Sequence, residues 1–443
     1  MLGYYLQMAV RSLRRNVALT ALMVVAVGVG IGASMTALTA LRSMSADPIP
    51  DKSGRLFTPQ LDIWGPQRNQ PDSGGNGDRL PTGLTYRDAV AFMNAHKAAR
   101  QAVMYAVGLY VRPAAGRPLQ AQGHAVSADF FSMFETPFAS GGPWGQKQDD
   151  NRESVVVLGA RLAARAFPGA DAVGRTLNLG GRDYRVVGVL KPWAPLPRFY
   201  DLNSGAFGEG EEFLLPFATA VERQINTNGF ESCNETPTGG WEAHLNSSCA
   251  WIQFWAELPT AAQVRDFRTW MLNYAAEQRR LGRFHWPPRV ALHDVVDWLV
   301  YNKVVPAAVR AISLAANSFL VVCLLNAVGV MLARFASRAK EFGLRRALGA
   351  SRRNVFLQCI TESILIGLLG GALGLVLTAI GLSGLRQLLG MTDPASAVHR
   401  LIALDTGMVV ITLAVAVGAT VCAALYPMLR ASRVQPAWQL KVE

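Results

Sequence analysis

Charge is scarce in this 443-residue sequence: Asp, Glu, Lys and Arg make up 17% of it, and 51% is hydrophobic. Soluble domains are usually about 25% charged, so the composition argues against a wholly soluble protein. Charge is absent altogether from residues 17–41, 311–333, 363–385 and 406–429. Each run exceeds the roughly 20 residues that cross a hydrocarbon core. The sequence therefore predicts four transmembrane helices, against the alternative of helices buried in a large soluble core.

Recognisable catalytic and metal-binding motifs are also lacking. The six histidines show no HExxH spacing and there is no Cys-x-x-Cys. Neither the GxSxG nucleophile elbow nor the GxxxxGK[ST] phosphate loop occurs. We therefore expect no catalytic residues, no metal ligands and no enzymatic activity, and interpret the polar part of the chain as a binding or docking module.

The positive charge is concentrated in three short segments. The net charge is +12, with a pI near 9.8, which alone would suggest a nucleic-acid-binding protein. Residues 1–16, 334–353 and 430–443 carry net charges of +3, +6 and +2, which is +11 of the total. Short loops rich in Lys and Arg remain cytoplasmic, so we expect both termini in the cytosol and no nucleic-acid partner.

This topology predicts nine segments. The run at residues 17–41 is longer than a signal-peptide core, which favours a retained first helix. The expected order is an amphipathic lead-in helix (1–16), span 1 (17–41), an outer domain (42–310), span 2 (311–333), a cytoplasmic segment (334–358), span 3 (359–385), a short outer loop (386–405), span 4 (406–429) and a tail (430–443).

The outer domain has α+β patterning. Alternating residues around Gly180-Gly181 predict a hairpin over residues 174–190, and Thr260 is placed to cap a helix. A strand is predicted at residues 55–63, a helix at 84–96, a short helix opened by Ser127, a strand followed by a helix at 154–167, and strands at 250–258 and 288–294.

Cys233 and Cys249 are the cysteines of the outer domain, in a Gly- and Asn-rich stretch. In an oxidising compartment such a pair favours a disulfide, and two free thiols are the alternative.

The most basic segment, residues 334–353, reads RFASRAKEFGLRRALGASRR and lies between two apolar runs. Gly343 and Gly349 interrupt it, and Ser351 is placed to cap the helix that follows. This predicts a short amphipathic helix along the cytoplasmic face, able to transmit force if a soluble partner binds it. The simpler interpretation is that its arginines only anchor lipid headgroups.

Span 3 contains one carboxylate, Glu362, close to its start. A charge at this depth is costly and is usually partnered, and we expect an arginine of residues 334–353 as its partner, in a structural rather than proton-relay role. Gly370, Gly371 and Gly374 are expected to allow close helix packing.

The stretch RAKEFGLRRALGASRRNVFLQCITESILIGLLGGALG, residues 338–374, resembles the signature of the MacB/FtsX-type ABC permeases, which include macrolide exporters, lipoprotein-release permeases and cell-division regulators. VSADFFSMFETPFASGG and VVVLGARLAARAFPGADAVGRTLNLGGRDYRVVGVL resemble the periplasmic core domain of that family. The ending RASRVQPAWQL is also similar. The resemblance implies a bacterial inner-membrane permease with four spans and a large periplasmic domain between spans 1 and 2.

The resemblance also implies a coupling segment between spans 2 and 3. By motif match its residues are Glu341, Gly343, Leu344, Arg345, Arg346, Gly349 and Ala350. It further implies a cytoplasmic ABC ATPase dimer as partner, which binds ATP and Mg²⁺. The absence of a phosphate loop leads us to expect that ATPase on a separate chain, with no cofactor on this one.

The implied mechanism is mechanotransmission: ATP hydrolysis by the partner drives motion of the periplasmic domains for export or extraction of a substrate. A second permease subunit, identical or related, is expected, and a periplasmic adaptor and an outer-membrane channel are further candidate partners. The alternative is a regulatory or sensor permease that transmits a signal without moving a substrate.

Overall fold

The structure is a computed structural model that describes residues 2–65, 79–113, 117–337, 344, 351–388 and 406–432. The chain divides into two compact units. The first, here the membrane unit, comprises Met1–Met44 and the chain from Val305 onward, apart from four residues near 395. The second, here the inserted domain, is Ser45–Val304.

The helices are numbered in chain order over the described residues. They are α1 (Leu2–Arg15), α2 (Val17–Ser45), α3 (Tyr86–Ala95), α4 (Phe130–Met133), α5 (Gln146–Asp150), α6 (Ala160–Ala166), α7 (Phe217–Glu222), α8 (Trp241–Leu245), α9 (Ala261–Arg280), α10 (Val295–Tyr301), α11 (Ala307–Ser337), α12 (Arg352–Leu388) and α13 (Thr406–Ser432).

Four of these helices, α2, α11, α12 and α13, are long and apolar enough to cross a membrane, and are called spans 1 to 4 below. The helix α1 precedes span 1 and ends in a turn at Asn16. The inserted domain lies between spans 1 and 2 in the chain, as the charge pattern predicts.

The inserted domain is built on one ten-stranded mixed sheet. Its strands are β1 (Leu56–Leu61), β2 (Arg100–Arg112), β3 (Leu119–Val126), β4 (Phe138–Gly141), β5 (Val155–Leu158), β6 (Thr176–Leu179), β7 (Arg182–Leu190), β8 (Phe213–Pro216), β9 (Gln253–Glu257) and β10 (Val290–Asp294). The order is β10-β1-β9-β2-β3-β8-β5-β7-β4, with β6 paired to β2 and β7.

Side chains of the central strands alternate between two apolar cores. Along β9, Phe254 belongs to one core and Trp255 to the other. Along β2, Val103 and Tyr105 share the core of Phe254, whereas Met104 shares that of Trp255. Because successive residues of a strand point to opposite faces, these residues show that both faces of the sheet are covered, and β5, β8 and β9 are buried along their whole lengths.

Most of the elements predicted in the inserted domain are present. The hairpin is β6–β7, with Gly180 and Gly181 at positive φ of 59° and 82°. Thr260 caps α9 by accepting a hydrogen bond from the backbone of Gln263. One prediction was wrong: Ser127 does not cap the short helix, which begins after Asp129, and the Ser127 hydroxyl instead accepts a hydrogen bond from Val103 N. The strands β2, β3, β4 and β8 were not predicted.

A buried charge cluster joins β3 to the segment between β7 and β8. Nδ1 of His124 lies 2.7 Å from a Glu211 carboxylate oxygen, and Nε2 lies 2.8 Å from Asp201. Tyr200 donates a 2.7 Å hydrogen bond to Glu211, and Arg198 lies 3.7 Å from the same carboxylate. Since a carboxylate faces each ring nitrogen, both nitrogens of His124 carry protons. The positive charge of the imidazolium is neutralised by these neighbouring carboxylates.

The pKa values in this cluster follow from its charges. Burial alone would lower the pKa of His124, but Glu211 and Asp201 outweigh it and raise that pKa to about 9. Burial alone would raise the pKa of Glu211, but His124 and Arg198 lower it to about 2. The charged cluster therefore stabilises the fold across the neutral range.

We expect stability to fall as the pH rises from about 6.5 to about 9. The folded-state pKa of His124 is raised, so its contribution is fully present below the unfolded value near 6.5 and is lost as the pH passes about 9. The loss is on the order of 3 kcal/mol. The measurement is the thermal unfolding midpoint of the detergent-solubilised chain, followed by tryptophan fluorescence from pH 6 to 9.5.

The variant His124→Gln should unfold at a lower temperature and should lack this decline, because the buried carboxylates then have no imidazolium partner. His285→Gln, at an exposed histidine, serves as the matched control and should keep the decline. A parallel decline in His124→Gln and the unsubstituted chain would contradict the assignment.

Candidate coupling site in the membrane unit

A buried ion pair connects spans 2 and 3. Arg334, in the last turn of α11, places Nη2 3.7 Å from Oε2 of Glu362 in α12, and each side chain is only 2% exposed. Sequence reasoning expected Glu362 to pair with an arginine of residues 334–353, and Arg334 is the first residue of that stretch. Removing one partner of such a pair leaves a buried charge uncompensated, so the two side chains hold the helices together.

The guanidinium of Arg334 also binds the lead-in helix and span 1. Nη2 donates a 3.0 Å hydrogen bond to Ser12 in α1, and Nη1 donates a 3.3 Å hydrogen bond to Thr20 in α2. Gln358, one turn before Glu362, donates to that carboxylate at 3.4 Å. These five side chains are called the Arg334 lock below, and they join α1 with spans 1, 2 and 3.

Thr20 also fixes the junction between α1 and span 1. Its hydroxyl lies 3.2 Å from the carbonyl oxygen of Leu13 and 3.0 Å from that of Asn16. The carbonyls in the last turn of a helix have no partners within it, and the Thr20 hydroxyl is within hydrogen-bonding distance of one of them, that of Leu13. The turn between α1 and span 1 is therefore tied to the Arg334 lock.

A buried apolar cluster draws residues from α1 and all four spans. The buried members of this cluster are Leu13, Met23, Met331, Val355, Cys359, Ile366 and Ala424. They come from α1 and from spans 1 to 4. Met331 lies one turn from Arg334, and Cys359 and Ile366 lie one turn from Glu362. Both charged side chains are shielded from solvent, in an environment where charge interactions are stronger than in water.

The three glycines predicted in span 3 lie at helix contacts. A Cβ on Gly370 would lie 2.8 Å from Cγ1 of Val27, and one on Gly374 would lie 2.9 Å from Cγ2 of Ile31. Gly371 faces span 4, where a Cβ would lie 3.0 Å from Ala416. Two faces of span 3 therefore approach their neighbours too closely for a larger residue.

Sequence reasoning missed the matching glycines of span 1. A Cβ on Gly28 would lie 2.8 Å from the Leu373 side chain, and one on Gly32 would lie 2.7 Å from Cβ of Leu377. The signal was available, because Gly28 and Gly32 are four residues apart, a spacing typical of close helix pairs in membranes. Ser12, Thr20 and Gln358 were also missed, since single hydroxyls and amides in apolar runs carry no recognisable motif.

Most of the predicted coupling residues lie outside the described part of the chain: Glu341, Gly343, Arg345, Arg346, Gly349 and Ala350. Leu344 is described, and it is helical and 60% exposed. Ser351 caps the helix of span 3 as predicted, because its hydroxyl accepts a 3.2 Å hydrogen bond from the backbone N–H of Asn354. That helix begins at Arg352, seven residues before the predicted start of the span at residue 359. In the inserted domain, Cys233 and Cys249 form a disulfide.

Comparison with known proteins identifies both units. The family model described as the MacB-like periplasmic core domain matches residues 20–266, and the model described as the FtsX-like permease C-terminal region matches residues 313–436. The protein named macrolide export ATP-binding/permease protein MacB from Escherichia coli K12 is 24% identical over 378 residues, covering 85% of this chain and 52% of that protein. The protein of the same name from Shigella flexneri gives the same figures.

The chain therefore spans about half the length of the curated relatives that it matches. A solved structure of the periplasmic region of MacB from Actinobacillus actinomycetemcomitans covers 58% of this chain and 98% of its own, with a TM-score of 0.36 and 11% identity. The resemblance drawn from residues 338–374 is confirmed by the family models. This chain belongs to the MacB/FtsX-type ABC transporter permeases, as a multi-pass inner-membrane protein with a periplasmic core domain between its first two spans.

Proposed function

We propose that this chain is a permease subunit that couples ATP hydrolysis by a separate cytoplasmic ATPase to motion of the periplasmic domain, for export or extraction of a substrate. The observation that supports this most is the Arg334 lock. It joins α1 and three spans at the point where the chain enters the predicted coupling segment.

The two ends of the predicted coupling segment adjoin the lock. Arg334 is the first residue of the segment predicted over residues 334–358, and Gln358 is its last. The helix of span 2 continues to Ser337, and the helix of span 3 begins at Arg352. A displacement of the segment would pull on both helix ends. Because the buried ion pair and its hydrogen bonds resist separation, those ends, α1 and the start of span 1 would move as one group.

The polypeptide chain itself connects the moving spans to the periplasmic domain. Span 1 runs to Ser45, where the inserted domain begins, and the domain ends at Val304, just before span 2 begins at Ala307. Movement of spans 1 and 2 would therefore be delivered to both ends of that domain. This arrangement supports transmission of a mechanical stroke, in which the periplasmic domain acts on the substrate.

Partner proteins would supply the other components of the transporter. The 443 residues contain no phosphate loop, so ATP and Mg²⁺ would be bound by an ATPase dimer that engages two permease subunits, identical or related. The relatives named above are described as macrolide export ATP-binding/permease proteins, which favours export over signalling. A periplasmic adaptor and an outer-membrane channel would complete the route.

Charge reversal in the coupling segment should separate the ATPase from the permease. In Arg345→Glu/Arg346→Glu, we expect recovery of the ATPase with affinity-tagged permease to fall roughly tenfold or more, because unfavourable charge pairing at an interface costs several kcal/mol. The measurement is quantitative mass spectrometry of complexes purified in detergent, together with the ATP hydrolysis rate per permease.

The matched control is Arg310→Glu, which reverses an exposed arginine near the other end of span 2. It should leave ATPase recovery unchanged, and both variants should elute at the unsubstituted position in size-exclusion chromatography. Full ATPase recovery and hydrolysis in the double variant would remove the coupling assignment.

Breaking the ion pair of the lock should destabilise the membrane unit. We expect Arg334→Gln and Glu362→Gln each to lower the free energy of unfolding by about 3–5 kcal/mol, because each leaves one buried charge unpaired. The double variant Arg334→Met/Glu362→Met should lose less than either single variant, since no charge then remains. The measurement is unfolding in mixed micelles with increasing fractions of a denaturing detergent.

Arg310→Gln provides the control for loss of an exposed positive charge and should change the free energy of unfolding by less than about 1 kcal/mol. If the loss in the double variant equalled the sum of the single losses, Arg334 and Glu362 would be energetically independent, and the lock would be refuted.

A further inference from the structure

The loop closed by the disulfide brings further metal-binding groups to the two sulfur atoms. Ligand atoms of Glu231, His244 and Cys249 all lie within 4.8 Å of one another. The disulfide places Sγ of Cys233 against Sγ of Cys249. Two thiolates, an imidazole and a carboxylate are together a ligand set that Zn²⁺ prefers.

The spacing of these atoms fits a tetrahedral ion. Nδ1 of His244 lies 3.3 Å from Oε1 of Glu231, and Sγ of Cys233 lies 3.5 Å from the same oxygen. Zinc bonds of about 2.0 Å to nitrogen or oxygen and about 2.3 Å to sulfur imply ligand-to-ligand distances of roughly 3.3–3.8 Å. The ligand atoms of Glu231, His244 and Cys249 lie within 4.8 Å of one another, so separation of the two sulfur atoms after reduction and small side-chain shifts would complete the geometry.

Backbone pairing keeps the two cysteines adjacent without the disulfide. Ser232 N donates to Ala250 O at 3.1 Å, and Ala250 N donates to Ser232 O at 2.7 Å. These bonds flank Cys233 and Cys249 and do not depend on the sulfur atoms. Reduction would therefore leave two thiols facing each other in a prepared site.

Packing and exposure suit a metal site as well. The ring of His244 packs against two tryptophans, with ring centroids 4.9 Å from Trp251 and 5.5 Å from Trp241, and these contacts restrict its orientation. The side chains of His244 and Glu231 are 16% and 30% exposed, which leaves a route for an ion from solvent, whereas Cys249 is buried.

We propose that the reduced form of this loop binds Zn²⁺ through Cys233, Cys249, His244 and Glu231, so that the periplasmic domain holds either a disulfide or a metal ion. A dithiol reductant supplies two electrons and two protons to the disulfide and is itself oxidised to a disulfide. The two thiols formed lose their protons to water when their thiolates bind Zn²⁺. The loop is cross-linked in both states.

The test uses the full chain in detergent, without a histidine tag, in a Cys323→Ala/Cys359→Ala/Cys422→Ala background that removes the free thiols of the spans. The chain is reduced, separated from reductant under nitrogen, incubated with ZnCl₂ and desalted. We expect about one zinc per chain by elemental mass spectrometry after reduction, and none in the oxidised chain. Substituting Co²⁺ should give thiolate-to-cobalt charge-transfer absorption.

Variants identify the ligands. Cys249→Ser should abolish zinc retention, and His244→Ala and Glu231→Ala should each weaken it at least tenfold in competition with a chromophoric chelator. His285→Ala, at an exposed histidine of the same domain, is the matched control and should retain zinc fully. Zinc bound equally by the oxidised chain, or retained by His244→Ala, would overturn the proposal.

A second measurement needs no variant in the site. If Zn²⁺ occupies the reduced loop, it should slow re-formation of the disulfide in air at least tenfold, as followed by thiol titration, because the thiolates are coordinated. Circular dichroism of the reduced chain establishes that the domain remains folded. An unchanged reoxidation rate with saturating zinc would refute the site independently of any substitution.

Discussion

The ion pair between Arg334 and Glu362 is the constraint on which the membrane unit depends. Both side chains are almost inaccessible, so separating them would strand two charges among apolar side chains. The hydrogen bonds from Arg334 to Ser12 and Thr20 extend this constraint to the lead-in helix and span 1. Spans 1 to 3 are therefore held together by polar contacts at one end, in a region where apolar packing alone would allow sliding.

The inserted domain uses buried charge differently. His124 is enclosed by Glu211 and Asp201, with Arg198 and Tyr200 completing the group, so a neutral cluster fastens an irregular segment to β3 in the middle of the sheet. A separate bidentate pair, Arg283 on Asp88, fastens the segment after α9 to the start of α3. In each case the charges fasten a segment that lies outside the sheet and the long helices to one of the domain's regular elements.

Hydrophobic periodicity and charge predicted those helices and strands that are marked by a short, continuous stretch of sequence. Uncharged runs gave the four spans, and Thr260, Ser351 and the Gly180-Gly181 turn gave helix starts and a hairpin. Of the missed strands, β8 is buried along its whole length, so its residues do not alternate, and β3 pairs in parallel with β8, some ninety residues away along the chain. The lock was only partly predicted: a charge in a span demands a partner, but hydroxyl partners have no sequence signature.

Under the proposed coupling, the glycine contacts would favour movement of these helices as rigid bodies. Gly28 and Gly32 of span 1 face span 3, while Gly370 and Gly374 of span 3 face span 1, so these two helices touch along several turns. Such interfaces are close-packed and resist continuous deformation, and displacement is then accommodated by rotation or shear of whole helices. The polar lock holds one end of this helix pair, and a glycine-lined interface runs along it. Bending of the two helices would therefore cost more free energy than rotation or shear of each helix as a whole. The transmission proposed above would therefore need no flexible hinge within the spans.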